Sequence, residues 1–183
     1  MNNSYKAMRE FWLDAKNLQH KQQVPTLGPC KICIAGIEMA AQDHNGKIKN
    51  LFLAASSLGN ASMYFENNSA SGLGGFTGGS SNGAVREKAK LLLQEAAAAA
   101  DKLPVVTVLP EQQNEQHVTL FTLSGDGELR AQDVAEAQVR EASHPLYAFF
   151  AYTQQLLGAF RTEQEAARHP AQHPACSAVE QKE

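Results

Sequence analysis

The sequence predicts an α+β fold, an antiparallel sheet of four or five strands packed with about three helices. Three observations carry that prediction. Apolar residues recur at helical spacing in three separate stretches, near the start, middle and end of the chain. Two strand-like apolar runs, 31–42 and 47–56, flank Asp43-His44-Asn45-Gly46, and Asn-Gly between apolar runs is a hairpin signal because both residues tolerate positive φ. Two further strand-like runs, 105–109 and 117–124, follow the middle helix. Strands and helices in this order suit an antiparallel sheet carrying helices on one or both faces.

The first helix is expected over residues 4–22. Ser4 can cap it, and Tyr5, Met8, Phe11, Trp12, Ala15 and Leu18 form its apolar stripe, with the single Trp read as a core anchor. Pro25 stops it, because the residue before a proline is driven toward extended conformations. In the first strand Ile32 and Ile34 share one phase, and Ile37, Met39 and Ala41 the other. A bulge at Gly36 would bring both phases to one buried face. In the second strand Phe52, Leu53, Ala54 and Ala55 carry no polar alternation, which points to cover on both sides.

From Ser56 to Gly83 the chain turns rich in Ser, Asn and Gly and reads as one long connection. A helix over 84–102 follows, capped by Asn82, with Val85, Ala89, Leu92, Ala96, Ala99 and Leu103 as its stripe and Pro104 as its stop. Its alanine run would let a neighbouring element approach closely. Beyond the turn at Gly125-Asp126-Gly127, residues 128–134 suit a strand and 132–142 a short helix. Ser143-His144-Pro145 opens the last helix, where Leu146, Phe149, Phe150, Leu156, Leu157 and Phe160 predict the central core helix. Residues 1–168 are read as a single domain and 169–183 as a flexible tail.

The chain has 183 residues, and its 16 Lys and Arg against 19 Asp and Glu leave a net charge of -3. With no basic cluster to face phosphates, no nucleic-acid partner is expected. No apolar run is long enough to span a bilayer and no leader is visible, so the expectation is a cytoplasmic protein without a membrane partner. Three cysteines argue against a disulfide framework.

Two patterns carry candidate chemistry. Cys30 and Cys33 form a C-x2-C, and His169 and His173 an H-x3-H with Cys176 beyond, the donor types of a tetrahedral zinc site. Most of the chain separates the two halves, and on an extended strand Cys30 and Cys33 would point to opposite faces unless the chain turns at Gly28-Pro29-Cys30. A redox reading of the cysteine pair lacks the following helix that lowers a thiol pKa. The second pattern is Gly74, Gly75, Gly78, Gly79, Ser80 and Ser81 running into a helix start, with Arg86 nearby, a layout that suits a bound anion or nucleotide. It has neither the G-K-[ST] of a P-loop nor the preceding strand of a dinucleotide fold. No cofactor is therefore expected, and no catalytic motif is found. Asp43 and His44 are read as turn residues, and His117 and His144 as element boundaries.

The order of elements is similar to that of small profilin-like and roadblock-type modules. That similarity is one of order alone and carries no functional residue over. The function expected is a non-catalytic binding or regulatory module acting through protein–protein contact and self-associating, with the alanine-rich helix face as a surface for a partner. The alternative is a small-molecule or nucleotide-binding protein, with or without catalysis, built on residues 72–83 and the helix that follows.

Overall fold

A computed structural model describes residues 3–14, 25–42, 45–46, 48–66, 74–77, 82–110 and 115–168. Its elements are α1 (Asn3–Leu13), β1 (Ile32–Gln42), β2 (Ile48–Ser56), β3 (Ala61–Phe65), β4 (Gly74–Thr77), α2 (Gly83–Ala99), β5 (His117–Ser124), β6 (Leu129–Ala135), the single turn α3 (Glu136–Val139) and α4 (Tyr147–Arg168). The α+β class is as the sequence predicts. All strand pairs are antiparallel, in the spatial order β4-β3-β2-β1-β5-β6. Four strands form a meander, α2 crosses one face of the sheet, and β5 returns beside β1, which is thereby central.

The expected hairpin forms, with Ile34 opposite Ser56 and Gln42 opposite Ile48. Gly46 takes the positive φ (+76°) that closes it. Asp43 and His44 lie outside the described residues, as do 15–22 of the expected first helix and 169–183 of the expected tail.

Three expectations are corrected. The stretch 56–83 is not one connection, because β3 and β4 lie within it. β3 is short and mixed, Ala61-Ser62-Met63-Tyr64-Phe65, and gains its place by pairing with β2. The bulge is not at Gly36 but between Ile32 and Ile34, where the register against β5 slips. It need not unite two phases on one face, since both faces are covered: Ile32, Ala35 and Ile37 join one core cluster, Cys33 and Ile34 the other. Gly36 is instead required by space, because a Cβ there would stand 2.0 Å from the Leu53 carbonyl oxygen and 2.6 Å from Phe121 Cζ. The run 105–109 forms no ladder strand. Bracketed by Pro104 and Pro110, it makes one bridge, Val105 to Arg130, and passes along the edge of β6.

The two faces are built differently. On one, α2 and α4 bury Val85, Ala89, Leu92, Leu93, Ala96, Leu146, Phe149, Phe150, Leu156, Leu157 and Phe160 against Ile37, Leu51, Leu53, Val118 and Leu120. The core helix expected from the last apolar stripe is thus α4. Asn82 caps α2 as expected, its side-chain oxygen accepting from the amides of Ala84 (2.9 Å) and Val85 (3.3 Å). The alanine face of α2 does admit a close neighbour, but from within the chain. A Cβ on Gly28 would stand 3.2 Å from Ala97 Cβ, and Ala89, Ala96 and Ala99 are buried. The expectation that this face is offered to a partner is therefore overturned. On the opposite face α1 and residues 106–110 cover Phe52, Tyr64, Phe121, Leu123 and Ala131.

Candidate functional site

The α1 side of the sheet holds a buried, charged hydrogen-bond cluster, and it grows from two residues on opposing elements. Glu38 is the one charged residue of β1 and lies in its middle, opposite Phe52 on one side and Thr119 on the other, with no exposed surface. An ionised carboxylate at that depth needs a partner. α1 supplies two at helical spacing, four residues apart on the face turned to the sheet. Tyr5 donates its hydroxyl to Oε1 of Glu38 at 2.9 Å, and Arg9 donates Nε–H to Oε2 at 2.9 Å. The far nitrogen of Arg9, Nη2, donates to the carbonyl oxygens of Leu109 and Pro110, each at 2.8 Å. One guanidinium thus joins three pieces of chain: α1, β1 and the proline-bracketed segment. Burial, with the Glu38 charge beside it, pushes the Tyr5 hydroxyl far above its ordinary pKa, so it stays a proton donor.

Aromatic rings surround this polar core. Phe52 and Phe121 stack with centroids 5.2 Å apart, and the indole N–H of Trp12 donates to the Tyr64 hydroxyl at 3.3 Å. The Trp, expected as a core anchor, is partly buried and packs against the edge of this cluster. Outside the triad a groove of about 380 Å³ runs between α1 and the 107–109 segment, lined by Lys6, Glu10, Leu13, Thr107, Val108 and Leu129 among others. The two elements that wall it carry large exposed apolar side chains: Val108 is 70 % exposed, Val105 on the same segment 58 %, and Phe11 on α1 50 %.

A second groove, of about 530 Å³, lies at the start of β5 and the end of β6, lined by Glu115, Gln116, His117, Ala135, Glu136, Ala137 and Arg140. His117 Nδ1 stands 2.6 Å from Asp133 Oδ2, and Arg140 donates to Glu136 at 3.2 Å. Both pairs lie at the surface of the fold. His144, read as a boundary residue, acts as one: its Nδ1 accepts from the Leu146 amide at 3.2 Å at the entry to α4.

The residues singled out from the sequence do not come together in the described chain. Gly74 and Gly75 belong to β4, opposite Phe65 and Tyr64, so their backbone is committed to a ladder. Gly78, Gly79, Ser80 and Ser81 lie outside the described residues. Arg86 is exposed on α2 and sits by the β2–β3 turn, its Nε 3.7 Å from where a Cβ on Gly59 would stand. The helix start that would bind an anion has two of its free amides taken by Asn82. Cys30 lies in a turn and packs against the helix-side cluster, whereas Cys33 is buried in the cluster of the other face. Their thiols therefore diverge, even though the chain turns at Gly28-Pro29-Cys30. Cys33 donates to the Leu123 carbonyl at 3.2 Å, and burial pushes its thiol up to about 11, the opposite of what a metal ligand or redox thiol needs. His169 and His173 are outside the described residues. Among the described residues no three His, Cys, Asp or Glu side chains gather to hold a metal ion. No helix of the described chain is long and apolar enough to cross a membrane.

The chain matches no family model, no curated protein and no solved structure. Its own geometry is therefore the ground for a functional reading. The residues that sequence reasoning passed over were Arg9 and Glu38. Their signal was present in the sequence: a lone carboxylate inside an apolar strand, and an arginine one helical turn after Tyr5.

Proposed function

We propose that this protein is a non-catalytic binding module that works through protein–protein contact, most simply with a second copy of itself. The observation that carries the reading is the surface around the α1 groove. Val105, Val108 and Phe11 hold 50–70 % of their surface in water, on the two elements that wall one groove. The charged groups beneath and beside them are engaged with one another: Arg9 with Glu38, and Lys6 with Glu10 at 4.0 Å. Exposed apolar side chains beside a groove lined by both charged and apolar residues have the composition of an interface. Both signs of charge on one helix also suit pairing about a two-fold axis, where a patch must complement itself.

Light scattering at micromolar concentration tests this. The expected result is a dimer or larger species that the double substitution Val105→Lys and Val108→Lys converts to monomer, with the melting temperature unchanged, since both side chains are exposed. A wild-type chain that is monomeric throughout overturns the reading. A monomer that nucleotides stabilise in a thermal-shift screen moves it to the alternative, the glycine-rich segment ahead of α2.

A further inference from the structure

We infer that the pocket beneath α1 is an arginine-binding site open to exchange, so that α1 of a second copy of this chain can enter it in place of the chain's own, with Arg9 of the incoming helix on Glu38. The inference deepens the self-association proposed above and rests on it for the identity of the occupant.

The groups that hold Arg9 are all acceptors: the Glu38 carboxylate and the carbonyls of Leu109 and Pro110 converge on one guanidinium at 2.8–2.9 Å. A planar cation with several donors fits such a set, and an ammonium fits it poorly. Neither Glu38 nor the two carbonyls belongs to α1, so the sheet and its edge segment form the site and α1 is its occupant. The occupant is held lightly by apolar contact. Of its described side chains only Tyr5 and Arg9 are buried, and Met8, Trp12 and Leu13 are partly buried. A terminal helix with one buried ring, one buried ion pair and otherwise partly buried or exposed side chains belongs to the part of a fold that opens first.

The chain between α1 and the turn bridge at Leu27 is long enough for the transfer. Residues 14–26 are thirteen in number. Fully extended they span on the order of 40 Å, more than twice the radius of gyration of roughly 16 Å expected for a domain of this length. A helix from another copy brings the same Tyr5, Arg9 and Trp12 and makes the same contacts, so the exchange costs no interaction. That is why swapping of a terminal element is a low-cost route to a dimer.

Charge reversal tests the exchange with full-length chains. Arg9→Glu and Glu38→Arg each place like charges in the pocket. When the two variants are mixed, an exchanged heterodimer seats the reversed helix in the reversed pocket at one site, again one carboxylate against one guanidinium. At the other site it restores Arg9 on Glu38. The expected result is a heterodimer on mixing, melting higher than either variant alone. A mixture that behaves as the sum of its parts overturns the inference.

Should either variant fail to fold, a second measurement applies. A fluorescent synthetic peptide of residues 1–16 is titrated into full-length wild-type protein and into the milder variant Arg9→Ala. Uptake is expected in both and tighter in the variant, whose own helix competes less. A peptide carrying Arg9→Glu should bind at least about tenfold more weakly. No uptake by either protein overturns the inference. The two readings fail separately. A wild-type dimer lost on changing Val105 and Val108, without complementation or peptide uptake, leaves self-association and removes the exchange. A wild-type monomer whose reversed variants nonetheless pair removes self-association and keeps the exchange.

Discussion

The two sides of the central sheet solve the same problem with different chemistry. On one side α2 and α4 cover the strands with aliphatic and phenyl side chains, and the polar contacts between them lie at the surface, as with Lys88 and Gln155 at 3.0 Å. On the other side a helix of eleven residues is held by a buried arginine and a buried tyrosine on one carboxylate. Apolar burial is non-directional and accumulates with area, so the α2–α4 side gains its stability from many contacts together. A buried ion pair is directional, and its attraction must offset the desolvation of both charges. The α1 side is therefore the more specific of the two, and it is there that the groove flanked by exposed Val108 lies.

The largest expected effects break each side at its anchor. Phe150→Ala removes a ring that is 3 % exposed and that Arg140 covers at 5.4 Å, and should cost about 3–5 kcal/mol in denaturant melts. A loss below about 1 kcal/mol would show that α4 is not the main core helix. Glu38→Gln leaves Arg9 buried beside a neutral amide and should cost about 3 kcal/mol. The double change Arg9→Met and Glu38→Leu should recover most of that loss, because a matched apolar pair leaves no orphaned charge. If the double variant is as unstable as the sum of its single changes, the ion pair is not what couples α1 to β1.

A smaller effect sharpens the comparison on the helix side. Asn82→Ala frees the amides of Ala84 and Val85 and should cost about 1 kcal/mol, read by thermal melting. The same change would unblock the start of α2, so phosphate that stabilises the variant and not the wild type would identify Asn82 as the group occupying that anion position.

The smallest effect is a pH dependence belonging to the α1 side. Both Tyr5 and Cys33 have folded pKa values raised by burial, Cys33 from 9.0 to about 11. In each case the unfolded chain loses its proton first. Stability is then fully present below the unfolded value and falls as pH rises, through the window from 9.0 to about 11 for Cys33 and from the ordinary tyrosine value of 10.0 upward for Tyr5. Urea melts across that range should show the fall, and Tyr5→Phe should flatten its upper part. Thiol labelling gives a companion measurement, with Cys30, in an open turn, reacting well before Cys33.

Much of the fold was legible in the sequence because it rests on local rules. The helical stripe at Leu146, Phe149, Phe150, Leu156, Leu157 and Phe160, the Asn82 cap and the hairpin at Asn45-Gly46 each express a periodicity or a backbone preference that neighbouring residues fix among themselves. These elements form where the sequence places them. β3, β4 and the course of residues 105–109 were not legible, because their state depends on what lies beside them. Ala61-Ser62-Met63-Tyr64-Phe65 becomes a strand by pairing with β2, while Val105 to Leu109, richer in β-branched residues, stays irregular between two prolines. The site divides in the same way. Sequence alone determined that Glu38 lies within an apolar strand and Arg9 within an amphipathic helix. Only the tertiary structure decided that α1 lies across the middle of the sheet, which brings residues 29 apart in the chain to 2.9 Å. Packing sets that partnership, since a charge can be buried only where the fold supplies its complement.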